Sequence, residues 1–139
     1  MESKSIYQEQ IIKAKEAYEK AYAPYSNFRV GSSALTETGL IVSGCNVENA
    51  SYGLTVCAER NCIAQAVIAG ETRIKSIVVY TKQEKLTPPC GACRQVIAEF
   101  MPEEAHVVSV NHLGDEKTWT VSQLLPDAFT PQSLLEANK

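Results

Sequence analysis

Apolar and polar residues alternate with a helical period in the first part of the chain. Five apolar residues are spaced four, three, four and three positions apart and form one stripe: Tyr7, Ile11, Ala14, Tyr18 and Ala21. We expect a capping box of Ser5 and Gln8 at the start of this helix, and Pro24 at its end. The pattern therefore predicts an amphipathic helix that packs on a sheet.

Shorter apolar runs predict strands. Residues 28–36 and 40–43 read as two strands joined by a turn at Thr38-Gly39. Residues 74–81 are almost continuously apolar, which predicts a central strand that is buried on both faces. Residues 106–111 and 118–121 predict two further strands.

Two internal helices lie between these strands. The first spans about residues 57–69, and Gly70 is expected just past its end. The second spans residues 90–100, with Pro89 at its start and Pro102 after it. Residues 122–125 predict a helical turn. The order of elements indicates a mixed sheet with helices on its faces, and the length of 139 residues fits one domain, 1–139.

Composition narrows the classes of function. Lys and Arg total 13 against 16 Asp and Glu, a net charge of -3 that argues against binding a nucleic acid polymer. No apolar run approaches the roughly 18–20 residues of a membrane span, and the start of the chain is polar, so we expect a cytoplasmic protein without a membrane partner. Five cysteines, an odd number, indicate metal binding or redox chemistry rather than a disulfide framework.

Three of the cysteines stand at predicted helix starts. Cys90 and Cys93 form a CxxC pair in the first turn of one helix, where N–H groups stabilise thiolates. Alone, the pair is compatible with zinc binding, redox chemistry or an inert role. Cys57 opens another helix, and three thiolates leave the fourth position of a tetrahedral zinc open for water, as in catalytic sites. Cys62 points roughly 140° away from Cys57 on the helix, so we expect it in the core.

The residues around Cys57 extend this interpretation. Arg60 returns to the helix face of Cys57, where it can donate to thiolate sulfur and offset the negative charge of a three-thiolate zinc site. Glu59 can take a proton from water and later deliver it to a substrate. We expect His106 and His112 to be solvated or hydrogen-bonded, and Arg94 to lie at the surface or in an interface.

Taken together, the motifs resemble those of a known family. Residues 57–60 (CAER) and 89–93 (PCGAC) resemble the zinc nucleoside and nucleotide deaminase signature in its three-cysteine form. More narrowly, the chain is similar to small homotetrameric cytidine deaminases, also at residues 23–28, 44–50 and 124–129. The resemblance implies an α/β three-layer sandwich with a mixed five-stranded sheet. Ser32-Ser33 and Asn61-Cys62 depart from the usual family pattern.

The resemblance also implies roles for matching residues. Cys57, Cys90 and Cys93 would hold one Zn²⁺ per chain with a water as fourth ligand, and Glu59 would shuttle protons. The substrate contacts would be Asn46 and Glu48 on the ribose hydroxyls, Phe28 against the nucleoside, the backbone of Ala58 at the base, and Ala50, Tyr52 and Phe129 completing pockets across subunit boundaries.

The implied activity is hydrolytic deamination of cytidine and 2′-deoxycytidine to uridine and 2′-deoxyuridine, with release of ammonia, in pyrimidine salvage. One alternative is a blasticidin S-type aminohydrolase, against which the ribose motif Asn46-Val47-Glu48 argues. Another is a non-catalytic zinc-stabilised module, which would need a fourth protein ligand. A redox protein that uses Cys90 and Cys93 would leave Cys57 unexplained.

Overall fold

A mixed five-stranded sheet forms the middle layer of the structure, a computed structural model that describes residues 5–137. Its strands run in the spatial order β2-β1-β3-β4-β5, and β3 and β4 are the parallel pair. The other neighbouring pairs are antiparallel. The strands are β1 Gly31–Thr36, β2 Ile41–Cys45, β3 Ile74–Thr81, β4 His106–Asn111 and β5 Glu116–Thr120. The predicted mixed five-stranded sheet is confirmed.

Helices cover both faces of the sheet. The helix α1 packs on one face, and α2, α3 and α4 pack on the other. Their bounds are α1 Gln8–Glu19, α2 Ala58–Ile68, α3 Gly91–Phe100, α4 Val121–Leu124 and α5 Pro131–Ala137. The last helix, and a single turn of 3₁₀ helix at Tyr52–Leu54, were not predicted. No helix within residues 5–137 is long and apolar enough to cross a membrane. The single domain of 1–139 stays a prediction, because residues 1–4 and 138–139 lie outside the described part.

Strand β3 carries both halves of the core. Ile77 and Val79 point into the cluster formed with α2 and α3, whereas Val78 and Tyr80 point into the cluster formed with α1. Successive side chains of a strand alternate between faces, so a strand covered on both sides is apolar at nearly every position. This confirms the central position that the sequence predicts for residues 74–81.

Helix and turn boundaries follow local signals in most places. Gly39 and Gly70 adopt left-handed φ angles of 95° and 85°, as the predicted hairpin turn and helix end require. The capping box at α1 is wrong: Tyr7 is the N-cap residue, and the Ser5 hydroxyl accepts a 3.1 Å hydrogen bond from the Tyr7 backbone N–H. Pro89 lies outside α3, because Cys90 is the N-cap residue.

The departure Ser32-Ser33 also has a structural account. Both serines are fully buried in β1. The Ser32 hydroxyl donates to the Val78 carbonyl at 2.9 Å, and the Ser33 hydroxyl donates to the Gln10 carbonyl at 2.6 Å. Buried hydroxyls are tolerated when they are hydrogen-bonded, so these two residues join β1 to β3 and to α1.

Gly44 brings β2 against α2, and this contact yields a prediction. A Cβ at Gly44 would lie 2.8 Å from the Ala58 carbonyl oxygen and would overlap the backbone of Cys62. We expect Gly44→Ala to lower the free energy of unfolding by about 1–3 kcal/mol, because α2 must move away from the sheet. Urea denaturation measures this change.

Gly53→Ala is the matched control, since a Cβ at Gly53 meets nothing within 4 Å. We expect its unfolding free energy to stay within about 0.5 kcal/mol of the unsubstituted protein. Equal stability of the two variants would contradict the role of Gly44 as the contact point of α2.

Candidate metal centre and adjoining pocket

Two helix N-termini bring three cysteines together. Cys57 is the N-cap residue of α2, Cys90 is the N-cap residue of α3, and Cys93 lies in the first turn of α3. The Cys57 and Cys90 sulfurs are 3.7 Å apart, and the Cys90 and Cys93 sulfurs are 3.3 Å apart. All three sulfur atoms lie within 4.8 Å of one another.

These spacings suit a tetrahedral zinc ion. Zinc–sulfur bonds of about 2.3 Å in tetrahedral geometry place neighbouring sulfurs roughly 3.8 Å apart. A disulfide would need about 2.05 Å, and the five cysteines are free thiols. Among residues 5–137, this is the one group of three or more His, Cys, Asp or Glu side chains placed to hold a metal ion. It contains no fourth protein ligand, which leaves one coordination position open.

The remaining candidate ligands lie elsewhere. Cys62 is fully buried in the core beside α2, and burial raises the pKa of its thiol to about 12. Its sulfur lies 3.5 Å from the Val42 carbonyl. His106 and His112 are exposed, and a His106 ring nitrogen is hydrogen-bonded to the Tyr7 hydroxyl at 2.8 Å. The expectations of a core cysteine and of solvated histidines are confirmed.

Arg60 supplies positive charge to the thiolates. A terminal guanidinium nitrogen donates to the Cys57 sulfur at 3.7 Å and to the Thr55 carbonyl at 3.4 Å. The hydrogen bond with Cys93, and next the bond from Arg60, lower the pKa of Cys57 well below its ordinary value. The thiolate is the form that binds metal, so this environment favours metal binding.

Glu59 is a carboxyl group held away from water. It lies in the first turn of α2 and is only 4% exposed. Burial raises the pKa of Glu59 to about 7, because the charged form loses its hydration. A carboxyl group with a pKa near neutrality can both accept and deliver a proton, as a general acid–base group must.

A pocket of about 260 Å³ opens beside Cys57, Cys90 and Glu59. It brings together five of the predicted catalytic and substrate-binding residues: Phe28, Asn46, Glu48, Ala58 and Glu59. Its apolar wall includes Val30, Val79 and Pro88. None of the described lining residues is Lys, Arg or His. The pocket is therefore suited to a small, uncharged ligand that has both apolar surface and hydrogen-bonding groups.

Asn46 and Glu48 also shape the wall of this pocket. The Asn46 side chain accepts from the Val30 N–H at 2.9 Å and donates to the Phe28 carbonyl at 2.8 Å. The Glu48 carboxylate accepts from the backbone N–H groups of Tyr25 at 3.0 Å and Ser26 at 3.1 Å, and from the Ser26 hydroxyl. Each side chain keeps hydrogen-bonding capacity for a ligand. The sequence did not predict that Asn46 and Glu48 hold the backbone of the pocket wall, or that Ser26 bonds to Glu48.

Three predicted substrate contacts do not line this pocket in one chain. Ala50 is exposed, Tyr52 is 77% exposed and Phe129 is 60% exposed. Tyr52 lines a second cavity of about 420 Å³ that shares Ser26, Glu48 and Thr55 with the first pocket. Their role across subunit boundaries stays a prediction.

Arg94 is partly exposed, so its predicted place at the surface or in an interface stays a prediction. Its guanidinium group donates to the Pro89 carbonyl at 2.8 Å and to the Leu124 carbonyl at 3.0 Å. Arg94 therefore fixes the segment before Cys90 to the end of α4. The CxxC motif gave no signal for this contact, because Leu124 is distant in sequence.

Comparisons with known proteins agree with this geometry. The family model for the cytidine and deoxycytidylate deaminase zinc-binding region matches residues 4–109. A cytidine deaminase from Halalkalibacterium halodurans is 46% identical over 124 residues, which are 89% of this chain and 94% of the relative. A cytidine deaminase from Mycobacterium tuberculosis is 42% identical over 119 residues, 84% of each chain.

Solved structures show the same fold. The crystal structure of cytidine deaminase from Burkholderia pseudomallei has a TM-score of 0.85 and 46% identity, and the match covers 90% of this chain and all of that one. Cytidine deaminase from M. tuberculosis has a TM-score of 0.78 and 36% identity, covering 91% of this chain and 98% of that one. The three-cysteine group, the buried carboxyl beside it and these matches together show that the chain belongs to the cytidine and deoxycytidylate deaminase zinc-binding family.

Proposed function

We propose that this protein hydrolyses cytidine and 2′-deoxycytidine to uridine and 2′-deoxyuridine, with release of ammonia. The observation that carries the proposal is the buried Glu59 beside the three-cysteine group, at a pocket that also contains Phe28, Asn46 and Glu48. Relatives that are 42–46% identical are cytidine deaminases, which supports the same reaction here.

The cysteines would hold one zinc ion per chain. When bound, zinc acts as a Lewis acid that activates water for attack on the base. Three thiolates and Zn²⁺ carry a net charge of -1, which opposes the loss of a proton from that water. Arg60 offsets this charge through its contact with the Cys57 sulfur, and the N-termini of α2 and α3 act in the same direction.

Glu59 would carry the protons. Its carboxylate would accept one proton from the attacking water and deliver it to N3 of the cytosine ring; it would then accept the second proton from the new hydroxyl on C4 and pass it to the departing amino group. The sum is cytidine plus water giving uridine plus ammonia. Burial keeps bulk water away from the carboxyl group, so its protons pass to the substrate.

Phe28, Asn46 and Glu48 would position the nucleoside. The Phe28 ring would offer an apolar face to the pyrimidine, and the backbone of Ala58, which also lines the pocket, would lie at the base. Asn46 and Glu48 can bond the ribose hydroxyls with the donor and acceptor positions that the backbone contacts leave free.

The charges of the pocket favour a nucleoside over a nucleotide. The described lining residues include the carboxyl groups of Glu48 and Glu59 but no cationic side chain. A phosphate group would find no cationic side chain among these residues to offset its charge, so a phosphorylated substrate loses affinity. The net charge of -3 argues in the same way against polynucleotides.

A homotetramer whose neighbouring subunits complete the sites is part of this proposal. Ala50, Tyr52 and Phe129 are exposed in one chain, as they would be before a neighbouring subunit covers them. A role in pyrimidine salvage and a cytoplasmic location also remain proposals. A cysteine-rich metal site is compatible with a reducing compartment.

A direct assay tests the proposed reaction. The zinc-loaded protein is mixed with cytidine, 2′-deoxycytidine or cytidine 5′-monophosphate, while ultraviolet absorbance and ammonia are measured. We expect both nucleosides to be converted and the monophosphate to react at least about tenfold more slowly in kcat/KM, because of the unpaired charge. A folded protein with one zinc per chain that converts neither nucleoside would refute the proposal.

A further inference from the structure

Ser26 lies between two residues that the proposed function places on the substrate. Its hydroxyl donates to one carboxylate oxygen of Glu48 and accepts a 3.0 Å hydrogen bond from the Phe28 backbone N–H. Its own backbone N–H donates to the other Glu48 oxygen at 3.1 Å. Ser26 therefore contacts the Glu48 carboxylate through its hydroxyl and its backbone N–H, and the same hydroxyl contacts the backbone N–H of Phe28.

The backbone conformation after Ser26 holds these hydrogen bonds in place. Asn27 has a left-handed φ of 57°, and its N–H donates to the Ala23 carbonyl at 3.0 Å. Asparagine tolerates this conformation better than most residues. The turn brings the Phe28 N–H back onto the Ser26 hydroxyl, so the positions of Phe28 and Glu48 are coupled through a single oxygen atom.

The hydroxyl also affects the charge of Glu48. The hydrogen bond from Ser26 lowers the pKa of the Glu48 carboxyl, which keeps the group ionised and able only to accept. An acceptor held in one orientation selects a ligand that presents a hydroxyl donor at that point. Ser26 and Glu48 line both this pocket and the second cavity, so the hydrogen bond between them lies where the two cavities meet.

We propose that Ser26 is a positioning residue that orients the Glu48 carboxylate toward a sugar hydroxyl of the substrate and holds Phe28 beside the base. The inference rests on the proposed deaminase function and deepens it. Ser26 acts through Glu48 and Phe28, so its removal affects substrate binding more than the chemical step.

Steady-state kinetics of Ser26→Ala and Ser26→Thr tests this inference. We expect Ser26→Ala to raise KM for cytidine roughly tenfold, since a charge-assisted hydrogen bond is lost, with kcat within about twofold. Ser26→Thr keeps the hydroxyl and is expected to restore KM to within about threefold of the unsubstituted value. Zinc content and thermal unfolding of each variant check that it is folded.

Deoxynucleosides distinguish a role of Ser26 in positioning Glu48 from a general effect of the substitution on the structure. KM is measured for cytidine, 2′-deoxycytidine and 3′-deoxycytidine with the unsubstituted protein, Ser26→Ala and Glu48→Gln. One of the two deoxynucleosides lacks the hydroxyl that Glu48 binds. For that deoxynucleoside, we expect Ser26→Ala and Glu48→Gln each to raise KM much less than they do for cytidine. If the same deoxynucleoside is insensitive to both substitutions, Ser26 acts through Glu48.

Each other outcome has a definite meaning. A KM increase in Ser26→Ala that is equal for all three nucleosides, a fall in kcat with unchanged KM, or failure of Ser26→Thr to restore KM would overturn the role of Ser26. An unsubstituted protein that converts none of the nucleosides would instead refute the proposed function itself.

Discussion

Glu59→Gln is expected to bind zinc normally but to lower kcat for cytidine by about 10²–10⁴-fold, the usual contribution of a general acid–base group. Glutamine has nearly the same shape as glutamate, so it fits the buried position at the start of α2. Its amide cannot accept a proton from water or deliver one to the base. Metal analysis and initial rates at saturating cytidine measure the two effects separately.

Glu99→Gln is a suitable control for this substitution. Glu99 is exposed on α3, away from the pocket lining, so we expect its kcat to match that of the unsubstituted protein. Substantial turnover by Glu59→Gln would remove Glu59 from the proton transfers. Loss of zinc together with activity would show that the carboxyl group serves the metal site instead.

Cys90→Ala is expected to lose stoichiometric zinc, activity and the stabilisation that zinc provides. Two sulfurs would remain of the three that now lie within 4.8 Å of one another. A metal that binds only the folded chain adds about 2.7 kcal/mol at a free concentration one hundred times its Kd. For a domain of this length that is roughly 10 °C in Tm, and thermal unfolding with and without added zinc measures it.

Cys45→Ala removes a cysteine outside the metal group and serves as the matched control. We expect it to keep one zinc per chain and the zinc-dependent rise in Tm. A Cys90→Ala protein that still binds one zinc tightly would contradict the three-cysteine site. A rise in Tm lost equally in both variants would indicate general damage to the fold.

Local sequence signals predicted the parts of the structure that depend on short stretches of chain. The apolar run of β3 reflects burial on both faces, and the start of α2 at Ala58 follows from the polar segment before it. Cysteines at helix starts could be grouped because each helix N-terminus fixes where its first side chains point. The metal centre could therefore be predicted from three cysteines and the starts of two helices.

Contacts between segments that are distant in sequence could not be predicted from local signals. The hydrogen bonds from Asn46 to Phe28 and from Ser26 to Glu48 join segments about twenty positions apart, and no periodic pattern in the sequence indicates such pairs. The hydrogen bond from Arg94 to the Leu124 carbonyl could not be predicted, because two strands separate these residues along the chain. Short helices such as α5 lack enough turns to show a clear apolar stripe.

The positions of Cys57 and Cys90 along the chain affect how readily proteases degrade the protein. The segment between them contains α2 and the central strand β3, and an ion held by both ends would close it into a loop. Separation of α3 from α2 would then require a metal–sulfur bond to break. Chelators would consequently do more than stop the reaction: by releasing this loop, they would raise the population of open chains that proteases can cleave.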